Sequence, residues 1–384
     1  LELVLTERCN LACDYCFVTR RGLGRDMSLE VAEAALHLLF DDAPEDARLW
    51  VTLFGGEPLF VMPFLREVVG LAKALVKPGQ ELHFNTTSNG TLITHETAAF
   101  LAENDIRVLL SIDGTKEHHD RHRKFRDGSP SFDHVMRGLE VLRKYQAWIG
   151  ARITVTPESI GNLVSSVEWL NQKGVCQFLI GIAECPEVIW TEEDIGKMDG
   201  QIRLLVKYYR RTLEEGIIPL RILDFEASLE DRRKSHGPIW GCEAARNKLC
   251  VGPDGKIYPC SRFIALNDGQ GAYALGDVFC GIERYDLVDD MQDNRALPRN
   301  GCTGCEYAQI CAGTCSGVNL ELEGNIYSTV YGNCSYQKIF HRLRTEQPDL
   351  FAIHRKYPIL HSRFTGTGPQ PEAQSTPHIR DLLE

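Results

Sequence analysis

The sequence has no run of apolar residues approaching the roughly eighteen needed for a transmembrane helix, so a helical membrane span is excluded. It also lacks a basic surplus. The 42 Lys+Arg stand against 53 Asp+Glu, a formal net charge of −11. Capture of nucleic acid or an anionic membrane surface needs a basic face, and this balance argues against both. The opening LELVLTERCN has no initiator Met, no charged n-region and no small-residue cleavage site. No secretory signal is read there, and a further segment is expected to precede Leu1. No internal repeat is found.

What the chain does have is ordinary globular composition over 384 residues, 43% hydrophobic and 25% charged. That is enough apolar material for a large core and two or three domains. Its oddity is 14 cysteines. They are too dilute for a small disulfide scaffold and dense for an intracellular enzyme. Without a secretory context the location is expected to be cytoplasmic, and the thiols read first as metal ligands or catalysts.

Two periodicities alternate through the first half. Period-2 apolar runs at Leu1–Leu5, Leu49–Phe54, Glu81–Asn85, Arg107–Ile112, Ala151–Val155 and Phe178–Ile182 predict strands. Helical patterns at Leu29–Phe40, Pro63–Leu75, His95–Asn104, Phe132–Tyr145, Gly161–Gly174 and Glu192–Glu215 follow them. Such βα units predict an α/β fold with parallel pairing, either a doubly wound sheet or an incomplete barrel, with the chemistry at the carboxyl ends of the strands. Near Gly237 the chain changes character and becomes rich in cysteine, glycine and turns. A loop-rich segment of this kind, expected over 237–340, needs a metal or cross-links to hold it. Residues 341–384 are expected to be an extension or tail, after a short helix at Gln337–Thr345.

The strongest motif is Cys9-x3-Cys13-x2-Cys16, directly after the first strand. Three thiolates in one loop can converge on one inorganic centre, and a cubane cluster with three protein ligands keeps one iron open. A zinc site would need a fourth ligand from elsewhere, such as His83 or His118. Here the sequence resembles the radical S-adenosylmethionine (radical SAM) superfamily. The resemblance implies a partial (βα)6 TIM-like barrel over 1–236. It implies a [4Fe–4S] cluster on Cys9, Cys13 and Cys16, with the open iron chelated by S-adenosyl-L-methionine. Tyr15 would then pack near the adenine. Gly55-Gly56-Glu57 looks like the motif that binds the methionine amine, the glycines allowing close approach and the carboxylate accepting from an ammonium. Ser88-Asn89 and Ser111-Ile112-Asp113 are similar to segments lining the ribose and carboxylate. Arg123 resembles the arginine that reaches the cofactor's carboxylate; read on its own, its stretch HHDRHRKFR is a solvated basic loop.

A second cysteine field runs Cys242-x12-Gly255-x4-Cys260, then Cys302-x2-Cys305-x5-Cys311-x3-Cys315, then Cys334. It resembles the SPASM domain, which carries two auxiliary clusters. That resemblance implies Cys302, Cys305, Cys311 and Cys334 on one cluster and Cys242, Cys260 and Cys315 on the other, giving three [4Fe–4S] clusters in all. Cys250 is a candidate fourth ligand of the latter, or a packed strand residue. VGPDGKIYPC reads as a hairpin turning at Pro253-Asp254-Gly255. Cys176 reads as core and Cys280 has no distinguishing context. Glu184 and Cys185, at the end of the sixth strand, are candidate substrate-facing groups.

The resemblance implies a peptide or protein substrate, and reduction of the catalytic cluster by a donor such as flavodoxin or ferredoxin. Two activities compete: thioether or carbon–carbon cross-linking of a ribosomally made peptide, and sulfatase maturation by formylglycine formation. In the family that the chain resembles, sulfatase maturases carry an Asp, the base, directly after the cysteine of the Pro-Cys dipeptide. Here Ser261 follows Pro259-Cys260, and a serine is a far weaker base. This favours a cross-linking maturase, whose leader-binding domain would precede Leu1 or belong to a separate partner. A non-catalytic iron–sulfur electron carrier would account for the cysteines but not for the motifs after successive strands.

Overall fold

The first strand, β1 (Glu2–Thr6), is buried along its whole length, because strands flank it on both edges. It is seen in a computed structural model that describes residues 1–18, 24–216, 220–226, 243–266, 271–292, 299, 301–311 and 313–356. Two units divide the chain. The first gathers Leu1–Leu109, Arg123–Ser131 and Glu243–Asn294, the second Leu110–His122, Phe132–Cys242 and Arg295–Glu384.

In the first unit β1 is followed by α1 (Leu29–Phe40), β2 (Arg48–Gly55), α2 (Met62–Leu75), β3 (Glu81–Ser88), α3 (His95–Glu103) and β4 (Ile106–Ser111). The division between units falls inside β4, after Leu109. β1 and β2 pair in parallel, as do β2 and β3. Along β2 burial alternates, with Leu49, Val51 and Leu53 in the core and Trp50 outward, the period-2 signal visible in the sequence. Ser28 starts α1 by accepting from the amide of Val31, satisfying one of the helix's orphan donors.

The second unit holds α4 (Lys116–His122), α5 (Phe132–Leu142), β5 (Gly150–Val155), α6 (Leu163–Gln172), β6 (Gln177–Ile182), α7 (Glu192–Glu215) and β7 (Arg221–Ile222). β5, β6 and β7 are parallel neighbours. A capping box between Thr191 and Asp194 opens α7, and Gly216 closes it in the left-handed conformation, so its ends are those expected from sequence. No helix was expected at α4, where the alternative to the Arg123 resemblance was a solvated basic loop over HHDRHRKFR. Its seven residues hold only one buried side chain, His119, too little for a periodic signal.

The cysteine-rich segment does not stand alone. The expected hairpin forms from β8 (Cys250–Val251) and β9 (Lys256–Tyr258), with Gly255 at φ 76°. β8 joins the free edge of β1 in parallel, Glu2 opposite Cys250. A hairpin this short cannot bury a core of its own and takes one from the barrel strand. It continues into α8 (Ser261–Ala265), β10 (Gly276–Asp277), β11 (Gly281–Ile282) and α9 (Tyr285–Gln292).

The described part of the second unit closes with α10 (Ser316–Glu323), α11 (Tyr331–Glu346) and a 3-10 stretch, Pro348–Lys356. The boundary expected at 340/341 falls inside α11, and the one at 236/237 lies outside the described residues. Leu343, Leu350 and Phe351 are wholly buried, and Phe225 meets Phe340 and Phe351 at 5.9 and 6.2 Å. Residues 341–356 are therefore part of a core, not a tail. Buried His341 and Arg344 carry the helix expected at Gln337–Thr345 into that core.

Candidate functional site

The loop after β1 carries Cys9, Cys13 and Cys16, all half-buried. A turn closed by the Cys16 amide on the Cys13 carbonyl at 3.1 Å spaces the last two thiols. Cys9 Sγ accepts from the Leu11 amide at 3.3 Å and from Asn89 Nδ2 at 3.7 Å. Burial pushes the Cys9 thiol up to about 11, and Glu57 and Cys16 add to the rise. The group therefore favours its protonated form until a cation compensates it.

The turn after β2 is docked onto this loop. The Gly56 amide donates to Thr6 O at 2.8 Å and the Glu57 amide to Arg8 O at 2.9 Å. A methyl on Gly56 would meet Arg8 O at 2.3 Å, and one on Gly55, whose φ is 149°, would meet Thr6 O at 2.2 Å. The glycines permit this backbone approach. Glu57 is wholly buried. Its Oε1 accepts from Ser88 Oγ at 2.9 Å and the Leu59 amide at 3.1 Å, and its Oε2 from the Asn89 amide at 2.7 Å. The carboxylate that the sequence aimed at an ammonium is turned into the protein. Burial raises it to about 7 against those three donors.

Asn89 bridges onward, donating to Asn10 Oδ1 at 2.9 Å while Asn10 donates to Thr91 Oγ1 at 2.8 Å. Residues 123–131 hold the loop from its other side. The Ala12 amide donates to Lys124 O at 2.8 Å, and Arg126 Nε to Cys9 O at 2.7 Å. Arg123, 7% exposed, places its guanidinium 5.4 Å from the Tyr15 ring centre, a cation–π pair. The first unit thus brings Cys9, Cys13, Cys16, Tyr15, Gly55, Gly56, Glu57, Ser88, Asn89 and Arg123 to the ends of β1–β3. The loop contacts of Asn10, Lys124 and Arg126 went unread, because nothing local marks a contact across some eighty to 117 residues.

Ser111 and Asp113 belong to the second unit and are buried. Asp113 Oδ1 accepts from the Thr154 amide at 2.8 Å, tying the end of β4 to β5. Glu184 is half-buried and Cys185 2% exposed, so Cys185 sits in packing. His83 stacks on Trp50 at 4.6 Å, and His118 meets Thr115 and Asn162; neither candidate zinc ligand accompanies the triplet loop in these contacts.

The thiols of the second cysteine field fall into sets. Cys302, Cys305, Cys311 and Cys334 lie close enough that their charges act on one another: Cys305 raises Cys302, Cys334 and Cys302 raise Cys311, and Cys302 and Cys305 raise Cys334. Burial is the leading cause in each, taking Cys311 to about 11. Four thiols in half-buried surroundings, one already accepting from a backbone amide, suit a cluster whose irons supply the compensating charge. Cys250 is wholly buried beside Cys260, which adds to the rise that burial imposes on it. Cys315 directly precedes α10, Cys176 is core and Cys280 is exposed. Cys242 lies outside the described residues. Among the described residues no three His, Cys, Asp or Glu gather tightly enough for a single metal ion.

One unexpected group adjoins the Pro-Cys dipeptide. Glu2, 3% exposed, accepts from Ser261 Oγ at 3.2 Å and the Ser261 amide at 3.4 Å, and pairs with Lys248 at 2.9 Å. Ser261 lines a cavity with Val4, Glu7, Val18, Phe54 and Ile264.

Comparison with known proteins places one domain. The model of the radical SAM superfamily matches residues 3–170. The chain carries a radical SAM domain. It is 25% identical, over 84% of its length and 91% of the relative's, to the cysteine-type anaerobic sulfatase-maturating enzyme of Clostridium perfringens. It is 21% identical, over 91% of its length and 75% of the relative's, to the radical SAM cyclopropyl synthase TigE of Paramaledivibacter caminithermalis. Among solved structures, native anSMEcpe with bound AdoMet matches with a TM-score of 0.72 at 22% identity, covering 92% of this chain and 98% of that one. Streptococcus suis SuiB bound to its precursor peptide SuiA matches at 0.60 and 18%, covering 87% and 75%. The radical SAM fold, a partial barrel with a parallel sheet, is that of the chain. The family implies S-adenosylmethionine and a [4Fe–4S] cluster. Among the described residues no helix is long and apolar enough to cross a membrane.

Proposed function

We propose that the chain is a maturase that removes hydrogen from a ribosomally made peptide and closes a thioether or carbon–carbon cross-link. Cys9, Cys13 and Cys16 would hold the catalytic cluster; with S-adenosylmethionine bound, that centre supplies the 5′-deoxyadenosyl radical that abstracts hydrogen. The chain's own part is positional. Asn89 and residues 124–126 fix the thiol loop, the Gly55-Gly56 turn sets its distance from β2, and Tyr15 with Arg123 walls the site. Cys302, Cys305, Cys311 and Cys334 would hold one auxiliary cluster, and Cys242, Cys260 and Cys315, with Cys250 beside Cys260, the other.

The observation carrying the cross-linking reading is Ser261, a hydroxyl directly after Cys260 where a formylglycine-forming enzyme would carry an ionised base. Formylglycine formation is favoured by two others: the end-to-end similarity to a sulfatase-maturating enzyme, and Glu2, whose carboxylate touches that same hydroxyl. Mass spectrometry of a co-expressed peptide separates the two. A loss of two hydrogens per modification, with fragments joined, is the expected result; conversion of Cys or Ser to formylglycine would overturn it. Anaerobically reconstituted protein should hold about twelve irons, three cubanes, and release 5′-deoxyadenosine with reductant. Cys13→Ala should abolish release and keep the auxiliary iron.

A further inference from the structure

Arg299 is 4% exposed, an unusual place for a guanidinium, which is seldom buried without a charge to serve. Its surroundings are the second cysteine field. Its carbonyl accepts from the Cys302 amide at 3.2 Å, so its backbone opens the turn that carries Cys302. Its side chain lies flat on Gly313, between Cys311 and Cys315. A methyl on Gly313 would meet Nη1 at 2.2 Å and Cζ at 2.4 Å. The Gly313 amide in turn donates to Cys311 Sγ at 3.2 Å. Nη1 also reaches Ser328 O at 3.4 Å. The missing side chain at Gly313 is what admits the cation between two stretches of the cysteine loop.

We propose that Arg299 is a positioning residue that sets the reduction potential of the auxiliary cluster on Cys302, Cys305, Cys311 and Cys334; this rests on the assignment of that cluster above. Four thiolates around a cubane leave the site net negative, so adding an electron works against existing charge. A fixed positive charge in a low-dielectric setting favours the reduced form and raises the potential. Lys338, four residues after Cys334, stands at an exposed position of α11, where solvent weakens its field. Burial, not charge alone, distinguishes Arg299.

The test is a redox titration of the reconstituted full-length chain, followed by electron paramagnetic resonance, with iron counted in parallel. Arg299→Gln should keep its iron and move one auxiliary wave to more negative potential, leaving the others in place, and Arg299→Lys should restore most of the shift. Unmoved waves at full iron in Arg299→Gln would overturn the proposal, as would a shift equally large in Arg299→Lys. If Arg299→Gln instead loses iron, retention in Arg299→Lys supports the charge, and loss in both overturns it. Cys311→Ala tests the underlying assignment separately. It should lose about one cubane of iron, and unchanged iron there would remove the site itself, an outcome distinct from an unmoved potential.

Discussion

Glu57 Oε2 accepts the Asn89 amide at 2.7 Å in complete burial, and this bond joins the turn after β2 to the turn after β3. Because Asn89 also holds Cys9 and Asn10, three loops from the ends of three strands share one carboxylate. Glu57→Ala would leave the Asn89 and Leu59 amides and the Ser88 hydroxyl without their acceptor. Each buried orphan costs about 1–3 kcal/mol, so a loss on the order of 3 kcal/mol is expected in chemical denaturation of the iron-free protein. Glu57→Gln, which retains one acceptor oxygen, should lose less. Unchanged stability in Glu57→Ala together with lost S-adenosylmethionine binding would show that the carboxylate serves the ligand and not the loops.

The same group makes stability depend on pH. Burial raises Glu57 from 4.5 to about 7, so the folded state binds the proton more tightly than the unfolded chain. Its stabilising contribution is complete below 4.5 and disappears as pH rises to about 7. Each pH unit in that window costs about 1.4 kcal/mol, on the order of 3 kcal/mol altogether. Unfolding free energies measured at pH 5 and pH 8 should fall more steeply for the native sequence than for Glu57→Gln. Parallel slopes would mean that the three donors keep the carboxylate ionised throughout.

Gly56 tests the docking of the turn. A methyl there collides with Arg8 O at 2.3 Å and Glu7 O at 2.9 Å, both backbone atoms of the strand end that leads into the thiol loop. Gly56→Ala is expected to lower catalytic-cluster iron and 5′-deoxyadenosine release while sparing the auxiliary iron. Gly70→Ala, with nothing within 4 Å of the added carbon and a helical position in α2, is the control. It should be neutral or stabilising by about 0.5–1 kcal/mol. Full activity in Gly56→Ala would show that the turn can retreat from the loop.

Much of the barrel was legible because its signals are local. Helix α1 spans Leu29–Phe40 and α7 spans Glu192–Glu215, as the apolar period and caps predict. The six strands agree within a few residues for the same reason. Legibility failed where burial contradicts residue type. The helix expected at Gln337–Thr345 lies within α11, but its buried polar side chains, His341 and Arg344, gave no sign that residues 341–356 belong to a core. At Gly55-Gly56 the sequence pointed to a ligand's close approach, and the structure adds an approach the sequence did not show, that of the chain's own backbone at Thr6 and Arg8.

The sequence by itself determined the order of strands and helices, the cysteine spacings and the resemblance they carry, since each lies within a few neighbouring residues. Tertiary structure alone decided which distant groups meet. Only folding turns Glu57 inward onto Asn89, lays residues 124–126 against the thiol loop, sets Glu2 under Ser261 and slides Arg299 over Gly313. These contacts join residues far apart in the chain, so no periodicity or spacing records them. They exist because buried donors, acceptors and charges must find partners once the strands have excluded water.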